Sequence, residues 1–506
     1  MERLIKAKNF IADAVIYAAE YILALFILLE CNSVYGAVVG KIELLYSLQQ
    51  SIYFYGAAAL IALVIRWRFR IKDLVKDAAV LVVLCIVLLI YHKLVNTDKY
   101  ASIDFVRMFF MFFPLIYGIF VLEKHGGRPC QPLYALADVT FFLAAASLMT
   151  WVHVQFFHGA GDHGSLMIAW GEGKEMINVA NLGFFWQRDW TFIKDGSLYR
   201  NIGIFKEAPA YVAILCSALA TELFLKKPTS AIRAAVLSAA VISTIGMLGI
   251  LILLGAWGLK LLQLVPKTKK TWTILGAAAI LLVVLATVFL IRKQQANPGS
   301  FRAHIADYDA CYNVWKEHPL LGLGWNREDL VGQYFNPPRQ KYGIATTAGL
   351  ILAVGGAVLF FFYLLSFAIL WALGLTKKRE GTAQWALVVF MLYCVIIFQS
   401  RLLTTFLAFG YAMWSELFAK KASDEVKADI VKKPAFCIDK ASVIFLVVTI
   451  LLTCFFMLSS FLESHELLLE QQQWAFIYII AYSLWGIGFV RAGFDNFQRK
   501  ASGTSV

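Results

Sequence analysis

Charged residues are scarce in this chain of 506 residues. Only 16% of its residues are Asp, Glu, Lys or Arg, and 60% are hydrophobic, whereas a soluble globular domain carries about 25% charged residues. The hydrophobic residues form long runs, such as residues 271–291, which match the ~20 residues needed to cross the hydrocarbon core of a bilayer. The composition therefore predicts a polytopic membrane protein and excludes soluble, disordered and nucleic-acid-binding proteins.

Motifs for metals and nucleotides are also lacking. None of the 8 cysteines belongs to a CxxC pair or to a Cys/His cluster with the spacing of metal ligands. The sequence has no GxxxxGK[ST] phosphate-binding loop, and no predicted cytoplasmic segment is long enough for a nucleotide-binding domain. The sequence therefore predicts no metal and no other cofactor, and it excludes an ATP-driven pump.

The net charge of +13 is unevenly distributed along the chain. If the N-terminus is cytoplasmic, the basic short loops around Arg66–Lys76, Lys124–Arg128 and Lys377–Arg379 all lie on the cytoplasmic side, as do residues 420–440 and the tail. Because cytoplasmic loops are enriched in Lys and Arg, this agreement predicts an all-α protein of about fourteen transmembrane helices. Both termini are then cytoplasmic, and two long loops are extracytoplasmic.

The predicted organisation divides the chain into seven parts. They are 1–156 with transmembrane helices 1–5, 157–206 as the first long outer loop, 207–291 with helices 6–9, 292–343 as the second long outer loop, 344–418 with helices 10–12, 419–440 as a cytoplasmic basic loop, and 441–506 with helices 13–14 and the tail. A turn near Ser243–Gly246 divides one long apolar run into two crossings. Long loops beside a rigid scaffold commonly carry function.

The first informative segment, 199–215, places Arg200, Lys206 and Glu207 directly before a membrane span, with Pro209 at the predicted helix start. Two cations at an outer helix N-terminus suit an anionic ligand such as a diphosphate, because a guanidinium fork matches phosphate oxygens. A charged anchor at the membrane interface is the alternative.

The second informative segment, 299–326, predicts an amphipathic helix along the outer interface, followed by a glycine-containing turn. Arg302 and His304 lie about 200° apart on this helix, so they would not act together unless the helix starts later. A packed or solvated surface position is the alternative for His304. The apolar residues of the helix recur at spacings of three and four: Ile305, Tyr308, Tyr312 and Trp315.

Together these segments resemble the O-antigen polymerase and ligase superfamily of bacterial envelope glycan assembly. Its members have an R-x-x-G-[IL]-F-x-x-P stretch before a middle span, similar to Arg200–Pro209 here. They also have an outer loop with an Arg-led helix that ends in H-P-L-x-G-x-G, similar to Arg302 and His318–Gly324. The resemblance covers roughly residues 130–420. It implies metal-independent transfer of glycans from a polyprenyl diphosphate carrier at the outer face of the bacterial cytoplasmic membrane.

Two departures favour a polymerase of repeat units over a ligase. Ligases of the family open the span after the second loop with a His-Asn pair, but residues 340–347 contain no His. Polymerases often carry a Glu beside the Pro of the first motif, and Glu207 is similar although Ala208 intervenes. A ligase and a lipid-linked oligosaccharide flippase remain the alternatives, although no similarity between the two halves of the chain supports a flippase.

The resemblance implies roles for the candidate residues and partners. Glu207 is the first candidate for the base and His304 the second. Arg401, at the turn between two later spans, is either another phosphate contact or an interfacial anchor. The partners implied are the lipid-linked oligosaccharide, membrane lipid, a flippase and a chain-length regulator. The implied binding residues are, for the diphosphate, Arg200, Arg302, Arg401 and Lys206, and, for sugar rings, Trp325, Trp186 and Trp190.

Overall fold

The structure is a computed structural model. It describes, apart from a few isolated positions, residues 2–34, 42–67, 71–95, 99–157, 165–169, 175–181, 184–189, 198–264, 298–335, 346–376, 379–395, 400–418 and 436–437. The predicted spans around 271–291, 441–460 and 474–490, and the basic loop 419–440, lie almost wholly outside the described residues.

The described chain is mostly helical, and eight of its helical segments are long and apolar enough to cross a membrane. The protein is therefore a polytopic helical membrane protein. The helices are α1 Glu2–Glu30, α2 Ile42–Trp67, α3 Ile71–Val95, α4 Lys99–Val106, α5 Phe113–His125, α6 Gln131–Phe157, α7 Ala208–Ala220, α8 Ala231–Ser243, α9 Met247–Leu264, α10 Pro298–Glu317, α11 Glu328–Val331, α12 Thr347–Thr376, α13 Glu380–Val395, α14 Ser400–Ala412 and α15 Trp414–Phe418.

Two π-helical segments, Arg107–Phe112 and Thr221–Leu225, interrupt or extend these helices. The first joins α4 to α5 within one span, and it buries Met108, Phe109 and Phe112. Such π segments are frequent at functional sites. The predicted turn after Ser243 is present, because α8 ends there and α9 begins at Met247, with Ile245 at a φ of 52° between them.

The first long loop contains a sheet that the sequence did not predict. Strands β1 Ser165–Ala169, β2 Glu175–Asn181, β3 Phe184–Asp189 and β4 Leu198–Gly203 form a four-stranded antiparallel meander in the order β1-β2-β3-β4. Two short segments, β5 Thr229–Ser230 and β6 Phe436–Cys437, pair in parallel. Because β4 ends only four residues before α7 begins, the sheet fixes the chain close to the start of a buried helix.

Buried and half-buried ion pairs lie at both ends of the helix bundle. At one end, Arg66 pairs with Asp13 at 2.8 Å and Lys124 pairs with Asp77 at 2.7 Å. Asp138 also lies there and accepts hydrogen bonds from three side chains, so it links helices, as one would expect of a carboxylate within a membrane protein: Tyr21, Lys226 and Arg233. We call this the basic end, and the opposite end, with residues 30–34, 198–207, 244–246 and 400–401, the loop end.

The glycine-containing turn after α10 docks into a break in α12. Gly356 has φ 58° and ψ −164°, which interrupts the helix. The turn pairs with the carbonyls and amides that this break frees, as Leu323 N donates to Ala353 O at 3.0 Å and Ala357 N donates to Pro319 O at 2.9 Å. Irregular backbone within a membrane is tolerated only where other parts of the protein satisfy its hydrogen bonds. Residues 318–324 supply such hydrogen bonds to the broken helix α12.

Candidate functional site

Strand β4 is attached to the loop end of α6. The Trp151 indole donates to the Tyr199 carbonyl at 2.7 Å, and the Tyr199 amide donates to the Gln155 side chain at 2.9 Å. Both partners stand near the C-terminus of α6. These bonds fix the residue immediately before Arg200.

Asn201 organises the turn from β4 into α7. Its buried amide group donates to Ser147 Oγ at 3.2 Å and to Ser243 Oγ at 3.0 Å, and its oxygen accepts from the Gly203 amide at 3.0 Å. Gly203 has a φ of 59°, and a Cβ there would lie 2.8 Å from the Tyr211 ring. The glycine is therefore required both by the left-handed backbone and by the close approach of an aromatic ring. The motif had drawn attention to Gly203, whereas the role of Asn201 was missed.

The half-buried Arg200 side chain reaches the turn between α8 and α9. Its Nε donates to the Thr244 carbonyl at 3.0 Å. This bond orients the guanidinium plane. Arg200 also lies close enough to Glu207 to affect the pKa of that carboxyl.

Glu207 is the residue before the first turn of α7, with extended backbone at φ −155° and Pro209 in the first turn. Its side chain is buried at 8% exposure. Burial raises its pKa to about 8, against the opposing effect of the nearby Arg200 and Lys206 cations. Burial also lowers the pKa of Lys206, and Glu207 counters that shift. The structure thus brings Arg200, Lys206 and Glu207 together around a carboxyl that exchanges its proton near neutral pH.

The residues that follow α1 pair with the chain segment just before Glu207. The Lys206 amide donates to Asn32 O at 3.0 Å, and the Val34 amide donates to Ile204 O at 2.8 Å, with a bridge between Ser33 and Phe205. Residues 31–34 therefore act as a short strand partner for the chain that leads into Glu207. The pattern of the sequence did not indicate this contact, since it joins positions about 170 residues apart.

Arg401 occupies a different setting from the one predicted for a phosphate contact. Its side chain is buried and its Nε donates to Glu30 at 2.5 Å, while Met108 and the Phe112 ring lie against the guanidinium. A diphosphate would have to displace a buried carboxylate to reach it, which is costly. The structure therefore makes Arg401 part of an internal ion pair, and its role as a phosphate contact or an interfacial anchor stays a prediction.

Helix α10 is present as predicted. Its candidate residues, Arg302 and His304, are less buried than Glu207. Arg302 is exposed and His304 is half-buried. Because α10 is continuous from Pro298, the two point to different sides of the helix. The helix packs through Ala310, Cys311 and Val314 against the first half of α12. Three of its predicted apolar residues are exposed, namely Ile305, Tyr308 and Tyr312, and the Tyr308 hydroxyl donates to the Cys394 carbonyl at 2.8 Å.

The tryptophans proposed to stack on sugars are not open stacking surfaces. Trp325 is 4% exposed, its indole donates to Asp104 at 2.7 Å, and its ring meets Phe109 edge-on at 4.9 Å. Trp186, on β3, is 2% exposed. Both rings are packed inside the protein, so sugar stacking by them stays a prediction, while Trp190 lies outside the described residues.

Within the described ranges, no three His, Cys, Asp or Glu side chains are grouped closely enough to hold a metal ion. At the loop end, Arg200 and Lys206 lie beside the buried carboxyl of Glu207, and Arg302 is exposed on a separate element. No protein-family model, no curated protein and no solved structure matches this chain.

Proposed function

We propose that the protein is a glycosyltransferase that polymerises oligosaccharide repeat units carried on a polyprenyl diphosphate. We further propose that it works at the outer face of the bacterial cytoplasmic membrane. The observation that carries the proposal is the grouping of Arg200, Lys206 and Glu207 at the start of α7. The resemblance of the two motif segments to the polymerase and ligase superfamily supplies the reaction class.

The proposed reaction balances as a substitution at the anomeric carbon. A hydroxyl of one lipid-linked unit attacks the anomeric carbon of the sugar at the reducing end of another chain. The bond between that carbon and the diphosphate oxygen breaks, and the lipid diphosphate leaves with the electron pair. The hydroxyl proton passes to ionised Glu207. A carboxylate whose pKa is about 8 is a stronger base than an ordinary one, and general bases work best with a pKa near the working pH.

The cations would stabilise the leaving group. Negative charge grows on the diphosphate as the bond breaks, and preorganised cations that face this charge lower the barrier. Arg200, whose orientation is fixed by Thr244 O, is the first candidate, and half-buried Lys206 is the second. Arg302 is proposed as an outer contact that meets the diphosphate from solvent, which suits its exposure. Arg401 is not proposed for this role, because Glu30 already neutralises it.

The experiment compares cells that lack this gene with cells complemented by wild-type protein or by Glu207→Gln. Deletion should leave single repeat units on lipid, wild-type protein should restore a ladder of longer chains, and Glu207→Gln should not restore it at equal protein level. Asp309→Asn, an exposed carboxylate of α10, is the matched control and should restore the ladder. Unchanged chain lengths after deletion would refute the proposal, and intact polymer that fails to reach its final acceptor would indicate a ligase.

Purified protein gives a second test. With lipid-linked repeat units in detergent, chain extension should persist in excess EDTA, because the proposed residues need no metal. Loss of extension that a divalent ion restores would contradict the metal-independent mechanism.

A further inference from the structure

The buried ion pair between Glu30 and Arg401 lies outside the machinery proposed above, although it is close to it along the chain. Glu30 is the last residue of α1, and Arg401 is the second residue of α14. Both side chains are nearly inaccessible, with relative exposures of 8% and 6%. Because burying an ion pair rarely adds net stability, its placement calls for a role other than stability.

The contacts around the pair run in two directions. Towards the first motif, Glu30 is followed by residues 31–34, which pair through the Asn32 carbonyl and the Val34 amide with Lys206 and Ile204. Glu207 is the next residue after Lys206. A displacement of the α1 terminus would therefore be transmitted through two backbone hydrogen bonds to the residue that precedes the carboxyl.

Towards the second motif, Arg401 contacts the π-helical segment Arg107–Phe112. Its Nη1 lies 3.8 Å from Met108 Sδ, and its guanidinium lies 4.8 Å from the centre of the Phe112 ring. Phe109 of the same segment packs against Trp325, the residue directly after the glycine-containing turn. Thr404, one turn further along α14, also donates to Met108 Sδ at 3.3 Å. The ion pair thus lies on a continuous line of contacts between the two motif segments.

We propose that Glu30 and Arg401 are positioning residues, whose ion pair fixes the end of α1 so that residues 204–207 present Glu207 and Lys206 in their working arrangement. The inference rests on the function proposed above only for its catalytic consequence. Its structural part concerns the order of residues 31–34 and 204–206 and needs no substrate.

The structural part is tested by hydrogen exchange of the purified protein followed by mass spectrometry. In Glu30→Gln, peptides that contain Val34 and Lys206 should exchange at least tenfold faster than in wild type, because the bonds of these amides depend on the α1 terminus. Arg401→Lys keeps the charge and should give a smaller increase, which preserves the test if Glu30→Gln folds poorly. Asp13→Asn is the matched control, since it breaks the ion pair with Arg66 about five helical turns before Glu30 in α1, and it should leave these peptides unchanged.

The catalytic part is tested by steady-state rates with lipid-linked repeat units across pH. Glu30→Gln should lower kcat at least tenfold and move the midpoint of the pH profile, whereas Asp13→Asn should move neither. Unchanged exchange in Glu30→Gln, or equal acceleration in Asp13→Asn, would overturn the positioning role whatever the activity. Faster exchange with an unchanged kcat and pH profile would overturn it as well. A wild-type protein that extends no chains would refute the proposed function, while the exchange result would still decide the structural part.

Discussion

Residues 198–209 and residues 298–325 both lead from a loop into the membrane bundle, but they use their polar groups in different ways. The first segment buries a carboxyl beside two cations, and it uses Asn201 to tie three elements together. The second segment uses its backbone, since the amides of Leu323 and Gly324 fill the break in α12. Its only proposed cation, Arg302, is exposed. A motif rich in glycine, proline and histidine can therefore serve to fill a break in a helix, a role that we call a plug, rather than to form a reactive site.

The largest expected effect comes from removing the carboxyl of the first segment. Glu207→Gln keeps the shape of the side chain but cannot accept a proton, so kcat should fall by about 10²–10⁴, the usual contribution of general acid–base catalysis. The measurement is the rate of chain extension by purified protein. His304→Gln, on the second segment, should cost much less. A larger loss in His304→Gln than in Glu207→Gln would transfer the base to α10 and reverse the comparison.

Replacing the two arginines by lysine compares the segments directly. Arg200→Lys keeps the charge but loses the planar fork and the Nε bond to Thr244 O. We expect about a 10²–10³ loss in rate, as for other preorganised contacts to developing charge. Arg302→Lys should lose only about tenfold, because an exposed cation acts in high dielectric.

Rates of both variants should be measured at matched protein levels and with the same substrate. Equal, severe losses would mean that both segments grip the diphosphate equally. Near-wild-type rates in both would make the two arginines structural.

The plug role of the second segment predicts a loss of stability. In Gly322→Ala the new Cβ would lie 2.6 Å from backbone atoms of Ala353, Val354 and Gly356, at a φ of 65°. Gly127→Ala is the matched control, because Gly127 also has positive φ, at 80°, yet nothing lies within 4 Å of a Cβ there. The control should cost about 1–2 kcal/mol from the backbone alone, and Gly322→Ala clearly more. Equal shifts in thermal unfolding in detergent would contradict close docking of the turn.

The difference between the segments was partly predictable from the sequence. Runs of apolar residues and basic loops indicated the helical membrane fold, and the adjacency of Lys206 and Glu207 indicated part of the site. The sheet before α7 was missed because its strands are short and lie within a polar loop. Asn32 and Glu30 were missed because their partners lie far along the chain, and such pairing leaves no local pattern. The burial of Trp325 could not be predicted, because sequence position does not reveal whether an indole is buried.

The smallest expected effect is a shift in the pH dependence of the rate, and its direction follows from the pKa of Glu207 in the first segment. Burial raises that pKa from 4.5 to about 8, so the folded carboxyl is mostly protonated at neutral pH, and its base form grows as the pH rises through about 8. If Glu207 is the base, kcat/KM should rise nearly tenfold per pH unit below 8 and level off above it.

Lys206→Met sharpens this test, because Lys206 is one of the two cations that lower the pKa of Glu207. Removing its charge should move the midpoint of the profile to higher pH. Lys316→Met, which removes an exposed cation from α10, should leave the midpoint in place. A midpoint near that of an ordinary carboxyl, or one that Lys206→Met does not move, would mean that a group other than Glu207 takes up the proton. The first segment would then hold the diphosphate without serving as the base, and the half-buried His304 of the second segment would become the leading candidate.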